Sequence, residues 1–127
     1  MKKNDPDNLK RSPAEPFRPG CKVWLEKGET NFGDGLYYLL LNVHDYGSIS
    51  QAAKRMGMSY RAAWGKIKRA EKSWGVLLVE TQVGGDLGGG ATLTPEGNKL
   101  IKCFGEFREK VGRVCQETFD ECFGNGP

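Results

Sequence analysis

Apolar side chains recur three and four positions apart in several stretches of this chain, and that spacing predicts amphipathic helices. The first such stretch contains Leu36, Leu39, Leu40 and Val43. Asp34 is a residue type that commonly caps a helix N-terminus, and Gly47 is the type that ends a helix in the left-handed conformation. We therefore predict that the first helix is capped by Asp34, faces the core and stops at Gly47.

A second and a third helix are predicted directly afterwards, separated by a tight turn. Ser48 and Gln51 form a capping box, in which the Ser48 hydroxyl accepts a hydrogen bond from the Gln51 amide. This short helix should stop at Gly57, and Ser59 should cap the helix that follows. The third helix has six positions that share one face and are expected to meet the core, namely Tyr60, Ala63, Trp64, Ile67, Ala70 and Trp74.

Two β-hairpins are predicted, one before the first helix and one after the third. Residues 23–25 and 30–32 are expected to be strands around a turn at Lys27 and Gly28. Residues 77–82 and 91–94 should form the second pair of strands. Between them, residues 83–90 contain five glycines in eight positions. A hairpin with a glycine-rich tip directly after a basic helix is typical of a wing.

Thr94 and Pro95 predict the start of a last helix, over residues 95–119. Its apolar positions step by four, three, four and three, and they are Leu100, Phe104, Phe107, Val111 and Val114. This seam is like that of a coiled coil and favours dimerisation through a partner helix. The alternative is that the helix packs on the core of its own domain.

The charges of the chain are unevenly distributed. The formal net charge of the 127 residues is +3, but residues 50–74 contain seven basic residues and a single acid, Glu71, and so carry +6. Positive charge concentrated on one helix favours a polyanionic partner. Two small residues, Ala62 and Gly65, lie among the basic ones and would let the helix approach a groove closely.

The N-terminal region and the overall hydropathy indicate the compartment. The sequence shows neither a secretory signal nor an apolar run long enough to span a membrane, so we expect a cytoplasmic protein. Residues 1–19 contain four prolines among charged residues and are expected to be a disordered arm. One domain, residues 20–127, should follow this arm.

The cysteines and the single histidine bear on chemistry. The four cysteines, Cys21, Cys103, Cys115 and Cys122, form no CxxC pair, and we expect buried, reduced thiols. Cys115 and Cys122 are seven residues apart and share a helix face, which leaves open a metal or redox sensor formed with Cys103. His44 lies in no catalytic pattern, and the glycine run lacks the context of a P-loop. We predict no enzyme activity, no metal site and no cofactor.

Two motifs resemble the N-terminal DNA-binding domain of the ModE family of molybdate-responsive transcriptional regulators, whose broader relatives are the LysR-type winged helices. They are GSISQAAKRMGMSYRAAW, residues 47–64, and GGDLGGGATLTPEG, residues 84–97. The resemblance covers residues 22–114. It implies a mainly α fold with small β-hairpins (α+β), a winged helix-turn-helix with a long C-terminal dimerisation helix. It also implies a regulator that binds an inverted repeat in double-stranded DNA as a homodimer.

The sequence departs from the family in two places. Full-length members carry a C-terminal molybdate-binding region, which this sequence does not contain, so we do not expect molybdate binding. The family wing usually has a basic residue within its glycine run, where Asp86 and Leu87 stand here. Phosphate contacts from the wing are therefore expected from the backbone amides of Gly85, Gly88 and Gly89.

In this fold the third helix would enter the major groove with its N-terminus first. The predicted DNA-binding residues of the two helices are Ser50, Gln51, Ser59, Tyr60, Arg61, Ala62, Lys66 and Arg69. The start of the second helix would offer amides to a phosphate. Arg61 is the first choice for a base contact because its guanidinium matches O6 and N7 of guanine. Lys66 and Arg69 should bind phosphates.

A different function stays open alongside this one and alongside the cysteine sensor. A winged-helix adaptor would bind protein partners through its last helix, and it would show no salt-dependent binding to DNA. The basic third helix argues against it.

Overall fold

The computed structural model describes residues 17–83 and 89–124. They fall into two units, residues 22–110 on the one hand and residues 17–21 with 111–124 on the other. The elements along the chain are β1 (Leu25–Lys27), β2 (Thr30–Phe32), α1 (Asp34–Tyr46), α2 (Ile49–Arg55), α3 (Tyr60–Trp74), β3 (Val79–Gln82), β4 (Gly90–Leu93) and α4 (Pro95–Phe123). The strands form two separate antiparallel hairpins, β1–β2 and β3–β4. This mainly α fold with small β-hairpins is the predicted fold class.

In the first hairpin, β1 and the turn lie slightly later in the chain than predicted, whereas β2 has the predicted residues. Lys27 pairs with Thr30 and is the last residue of β1, so the turn is formed by Gly28 and Glu29. The backbone carbonyl of Lys27 accepts hydrogen bonds from Ser73 Oγ at 3.2 Å and from Trp74 Nε1 at 3.0 Å. The hairpin is thereby fixed to the last turn of α3.

Helix α1 begins and ends close to the predicted residues, but its cap differs. Gly33 occupies the N-cap position and Asp34 is the first helical residue, so the prediction that Asp34 caps the helix is wrong. The Asp34 carboxylate instead accepts a hydrogen bond of 2.8 Å from Arg108 Nε, a partner on α4. The end is as predicted, because Gly47 has a φ of 74° and its amide donates to the Val43 carbonyl.

Serine caps start both helices of the helix-turn-helix, as predicted. Ser48 Oγ accepts a hydrogen bond of 2.9 Å from the Gln51 amide, and Ser59 Oγ accepts one of 3.0 Å from the Ala62 amide. Each bond satisfies one of the amides that the first turn of a helix leaves without a partner. Between the helices, Gly57 turns the chain with a φ of 68°.

The buried face of α3 is narrower than the predicted one. Ala63, Ile67 and Ala70 are buried, whereas Tyr60 and Trp64 remain 52% and 42% exposed. Trp64 follows Ala63 directly, so its side chain points about 100° further round the helix than the fully buried methyl of Ala63. The prediction that Trp64 belongs to the core is therefore wrong.

The core of the first unit is formed where α1, α2, α3, the base of the second hairpin and the start of α4 meet. Its most deeply buried side chains are Phe32, Leu39, Leu40, Val43, Ile67, Leu78 and Phe104. Burying one such side chain contributes roughly 1.5–3 kcal/mol relative to leaving it exposed. The buried face of the basic helix α3 thus packs on a continuous hydrophobic core.

Helix α4 continues to Phe123, beyond the predicted end at residue 119. Thr94 caps it as predicted, because Thr94 Oγ1 accepts a hydrogen bond of 3.0 Å from the Gly97 amide. The five residues of the predicted dimerisation seam differ in how far they are buried. Phe104 is 1% exposed and packs against Phe32, with ring centroids 4.9 Å apart, so it belongs to the core of its own chain. The other four members of the seam are Leu100 and Val111, which are half-buried, and Phe107 and Val114, which are exposed.

In the second unit, the rings of Phe17 and Phe123 meet edge to face with centroids 5.9 Å apart. Burial raises the pKa of the Cys115 thiol, and the neighbouring Cys21 raises it further. The expectation of buried thiols is wrong for Cys21, Cys103 and Cys122, which are exposed. Residues 1–16 of the predicted arm lie outside the described residues. Within the described ranges, no helix is both long and apolar enough to cross a bilayer.

Candidate nucleic-acid interface

A groove of about 470 Å³ runs between the starts of α2 and α3 and the wing, which is the hairpin formed by β3 and β4. Its walls are Ser48, Ile49, Ser50, Tyr60, Trp64, Thr81, Gln82, Val83, Gly89 and Gly90. The Ala91 amide donates a hydrogen bond of 2.9 Å to the Gly47 carbonyl, which fixes β4 beside the start of α2. The groove therefore unites the three elements in which the sequence predicts DNA contacts.

The wing is set against α3 by a buried carboxylate. The Glu71 side chain is 5% exposed, and its Oε2 accepts hydrogen bonds from the amides of Leu78 at 2.8 Å and Val79 at 3.1 Å. A buried carboxylate needs such donors, because burying a charge without partners costs several kcal/mol. Glu71 therefore fixes the first residue of β3 relative to the helix.

The same carboxylate holds a side chain at the groove. Glu71 Oε1 is 3.1 Å from Lys68 Nζ, and Lys68 Nζ lies 5.7 Å from the centroid of the Trp64 ring. A cation over an indole face is attracted by the ring quadrupole. The chain of contacts from Glu71 through Lys68 to Trp64 thus orients the indole beside the wing.

Arg61 and Ala62 lie in the first turn of α3, and both are exposed. Arg61 directly follows Tyr60, which lines the groove, and its side chain points about 100° further round the helix. The small Ala62 leaves the helix backbone accessible at this turn. The structure thus leaves both residues of the predicted base contacts accessible on the surface of α3.

Lys66 and Arg69 lie on the other flank of α3. They line a second groove, of about 300 Å³, with residues of the first hairpin and of the start of α1. Both cations are exposed. The Arg69 side chain runs back along its own helix towards Gly65, and a Cβ at position 65 would be only 3.3 Å from Arg69 Nη1. The predicted site residues therefore form two groups, one on each flank of the helix.

The start of α2 offers less to a phosphate than predicted. Ser50 and Gln51 are both exposed, and Ser50 lines the wing groove. The amide of Gln51, however, already donates to Ser48 Oγ. This backbone group is therefore not free for a phosphate. Ser59 Oγ is likewise occupied as an acceptor by the Ala62 amide.

The predicted wing contacts fall only partly within the described residues. Gly89 lines the wing groove, whereas Gly85 and Gly88 lie outside the described residues, as do Asp86 and Leu87. Val83, directly before them, is 99% exposed.

Two further features of the described residues bear on chemistry. In the ranges 17–83 and 89–124, no group of three or more His, Cys, Asp or Glu side chains is placed to hold a metal ion. His44 is exposed and its Nδ1 lies 3.2 Å from Asp45 Oδ1.

Sequence reasoning missed three contributors to the site, namely Trp64, Gln82 and Glu71. Helical spacing predicts that Trp64 faces the core, although six apolar positions in fifteen residues form a wider face than the neighbouring helices cover. Gln82 and its neighbours were recognised only as strand residues. The signal for Glu71 was its position as the single acid in a strongly basic stretch.

Comparisons with known proteins agree with this geometry. Residues 36–98 match the family described as bacterial regulatory helix-turn-helix proteins of the lysR family. The chain is 37% identical over 92 residues to the molybdenum-pterin-binding protein MopB of Rhodobacter capsulatus, a match that covers 72% of this chain and 34% of MopB. It is 39% identical over 82 residues to the DNA-binding transcriptional dual regulator ModE of Escherichia coli K12, covering 65% of this chain and 30% of ModE. The chain thus spans about a third of the length of these relatives.

The fold itself has a solved counterpart. The DNA-binding domain of CbnR, in its complex with DNA, superposes with a TM-score of 0.55 at 22% identity, over 69% of this chain and 95% of that one. Residues 36–98 therefore match the lysR family of bacterial regulatory helix-turn-helix proteins, and this part of the chain is similar to ModE.

Proposed function

We propose that this protein is a sequence-specific regulator of transcription that binds double-stranded DNA through α3 and the wing. One observation carries the proposal. The first turn of α3, whose Tyr60 lines the wing groove, exposes Arg61 and Ala62, and five of the seven basic residues of the stretch 50–74 lie on this helix. A basic helix with small side chains at its tip fits the major groove. The similarity to ModE, named as a DNA-binding transcriptional regulator, supports the same function.

In this proposal the side chains divide into those that position the protein and those that select a sequence. Lys66 and Arg69, on the flank of α3 away from the wing, neutralise phosphates along one side of the DNA major groove. Gly89 and the predicted Gly85 and Gly88 approach the backbone on the wing side. Arg61 donates two hydrogen bonds to O6 and N7 of a guanine, which is the contact that selects a base.

The proposal includes a homodimer that binds an inverted repeat. Two copies of α3 related by a twofold axis would meet successive major grooves about 34 Å apart. The exposed apolar side chains of Phe107 and Val114 on α4 support pairing through this helix. Burial of these side chains at an interface would remove apolar surface from water.

Selection of bound sequences from a random duplex pool tests the function directly. We expect enrichment of an inverted repeat, and an affinity for it that falls steeply as salt rises, because bound cations release counterions from phosphates. Failure to enrich any sequence, or binding that does not depend on salt, would contradict the proposal.

Two matched variants separate the assigned roles. Arg61→Ala should weaken binding to the selected sequence by about 1–3 kcal/mol and relax the preference at one base position. Lys66→Ala should weaken binding to selected and scrambled duplexes alike and lower the slope of log affinity against log salt by about 1. An equal loss on both duplexes for Arg61→Ala would assign Arg61 to phosphate rather than base contact.

A further inference from the structure

Trp64 is a large aromatic side chain that the fold leaves unburied on the proposed DNA-binding helix. It is 42% exposed, it lines the wing groove, and Tyr60, one turn earlier, is 52% exposed on the same wall. Exposed aromatic rings on a concave wall keep apolar surface in water, and this favours a ligand that covers them. The contacts proposed above for Arg61, Lys66 and Arg69 do not involve the aromatic rings on this wall.

The indole has a partner on its own helix, the ammonium group of Lys68. Lys68 Nζ lies 5.7 Å from the ring centroid and is anchored by its ion pair of 3.1 Å with the buried Glu71. Residues four apart on a helix are neighbours on its surface, so Tyr60 flanks the indole on the N-terminal side. A side chain oriented in this way loses little conformational freedom on binding.

The position of the indole identifies what it can meet in a bound duplex. We infer that Trp64 is a specificity-determining residue that packs its ring against the C5-methyl group of a thymine in the major groove. This inference rests on the proposed function, in which α3 lies in that groove. The thymine methyl is the apolar group among the base edges that the major groove presents, whereas the other edges offer hydrogen-bond donors and acceptors. An indole surface therefore distinguishes thymine from the other bases at one position.

Replacing thymine by deoxyuridine isolates this contact, because it removes the methyl group and leaves base pairing unchanged. We would replace each thymine of the selected duplex in turn and measure the affinity of the wild type, Trp64→Ala and Trp64→Phe. The control is Trp24→Ala, since Trp24 is 52% exposed in the segment that precedes β1 and takes no part in the groove. Low salt keeps the affinities of weakened variants measurable.

For the wild type and Trp24→Ala we expect a roughly fourfold loss of affinity at one thymine per half-site, the factor that burying one methyl-sized group contributes. Trp64→Ala should bind more weakly but with equal affinity to the thymine and deoxyuridine duplexes at that position. Trp64→Phe should restore part of the sensitivity.

Two outcomes would overturn the inference. In one, the wild type binds its selected duplex but tolerates every deoxyuridine. In the other, Trp64→Ala keeps the full fourfold loss at the same thymine. Both outcomes would leave DNA binding intact and so would not contradict the proposed function. A wild type that selects no duplex at all would contradict the proposed function instead.

Discussion

The carboxylate of Glu71 accepts a hydrogen bond of 2.8 Å from the backbone amide of Leu78, seven residues along the chain. Both groups are buried. The amide of Val79 donates to the same oxygen, and the other oxygen is paired with Lys68. One side chain thus satisfies two backbone amides where the chain leaves α3 and enters the wing.

Replacing Glu71 by Ala should destabilise the fold by about 3–5 kcal/mol. The variant leaves the amides of Leu78 and Val79 buried without an acceptor, and each such group costs about 1–3 kcal/mol. Glu71→Gln keeps an acceptor oxygen of the same shape and should cost clearly less. Urea denaturation of both variants gives the two free energies of unfolding. Equal losses for the two variants would mean that the amides are not what the carboxylate stabilises.

Gly97 lies where α4 crosses the wing strand, and it leaves no room for a methyl group. A Cβ at this position would lie 2.3 Å from the backbone carbonyl oxygen of Leu78. That oxygen already accepts a hydrogen bond of 3.0 Å from the Thr94 amide and is not free to move. Gly97→Ala should therefore lower the melting temperature, through overpacking that typically costs about 1–3 kcal/mol.

Gly112 provides the matched control for this substitution on the same helix. A Cβ there would meet no atom within 4 Å, so Gly112→Ala should stabilise the helix by up to about 1 kcal/mol. The two variants should shift the melting temperature in opposite directions. A melting temperature for Gly97→Ala at or above that of the wild type would refute the close contact.

The ion pair between Asp34 and Arg108 should make stability depend on pH in acid. The hydrogen bond from Arg108 lowers the pKa of Asp34, so the pair contributes stability above the unfolded pKa of about 3.9, and this stability is lost as pH falls through the lower folded pKa. Both side chains are partly exposed, at 38% and 41%, so we expect no more than about 1 kcal/mol. The difference in stability between wild type and Asp34→Asn should be constant near neutrality, begin to fall at about pH 4 and vanish only below the folded pKa.

A double-mutant cycle isolates this pair. Arg108 also lies over the rings of Tyr37 and Tyr38, so Arg108→Ala alone removes more than the ion pair. The coupling free energy between Asp34→Asn and Arg108→Ala should be favourable at pH 7 and zero in strong acid. A coupling that does not change with pH would assign the interaction to packing.

If the protein dimerises through α4, a charge introduced at an apolar position of this helix should weaken the dimer. Phe107→Glu and Val114→Glu each place a carboxylate on an exposed apolar position of this helix and should shift the protein from dimer to monomer in sedimentation equilibrium. Lys102→Glu is the control, because Lys102 is exposed and lies outside the apolar seam. A monomeric wild type, or dimers in all three variants, would contradict pairing through these positions.

Local sequence signals predicted most of the fold. Ser48, Ser59 and Thr94 were identifiable as caps because a hydroxyl next to a helix start acts over three residues. Gly47 was identifiable because few other residues adopt a positive φ. These features depend on neighbours in the chain, and they appear in the structure where the sequence places them.

The misassigned residues are those whose partners are distant or lie on other elements. Helical spacing identifies the apolar face of α3, but how much of that face is buried depends on the helices packed against it. The spacing therefore predicts a buried Trp64, although the neighbouring helices leave it exposed. Asp34 has a residue type suited to capping, yet its partner is Arg108, 74 residues along the chain. The two amides that Glu71 satisfies become visible only once the wing is folded against α3.

The hydrogen bonds from Ser73 and Trp74 to the Lys27 carbonyl hold the last turn of α3 against the first hairpin, in addition to the packing of its buried face on the core. The helix is clamped near its C-terminal end, whereas Arg61 lies at the opposite end, about 20 Å away along the axis. A tilt of about five degrees at the clamp would therefore move the tip by roughly 2 Å, more than a hydrogen bond to a base tolerates. In the proposed complex, substitutions in the first hairpin, away from the wing groove, would then alter which sequence is bound while leaving Arg61 itself unchanged.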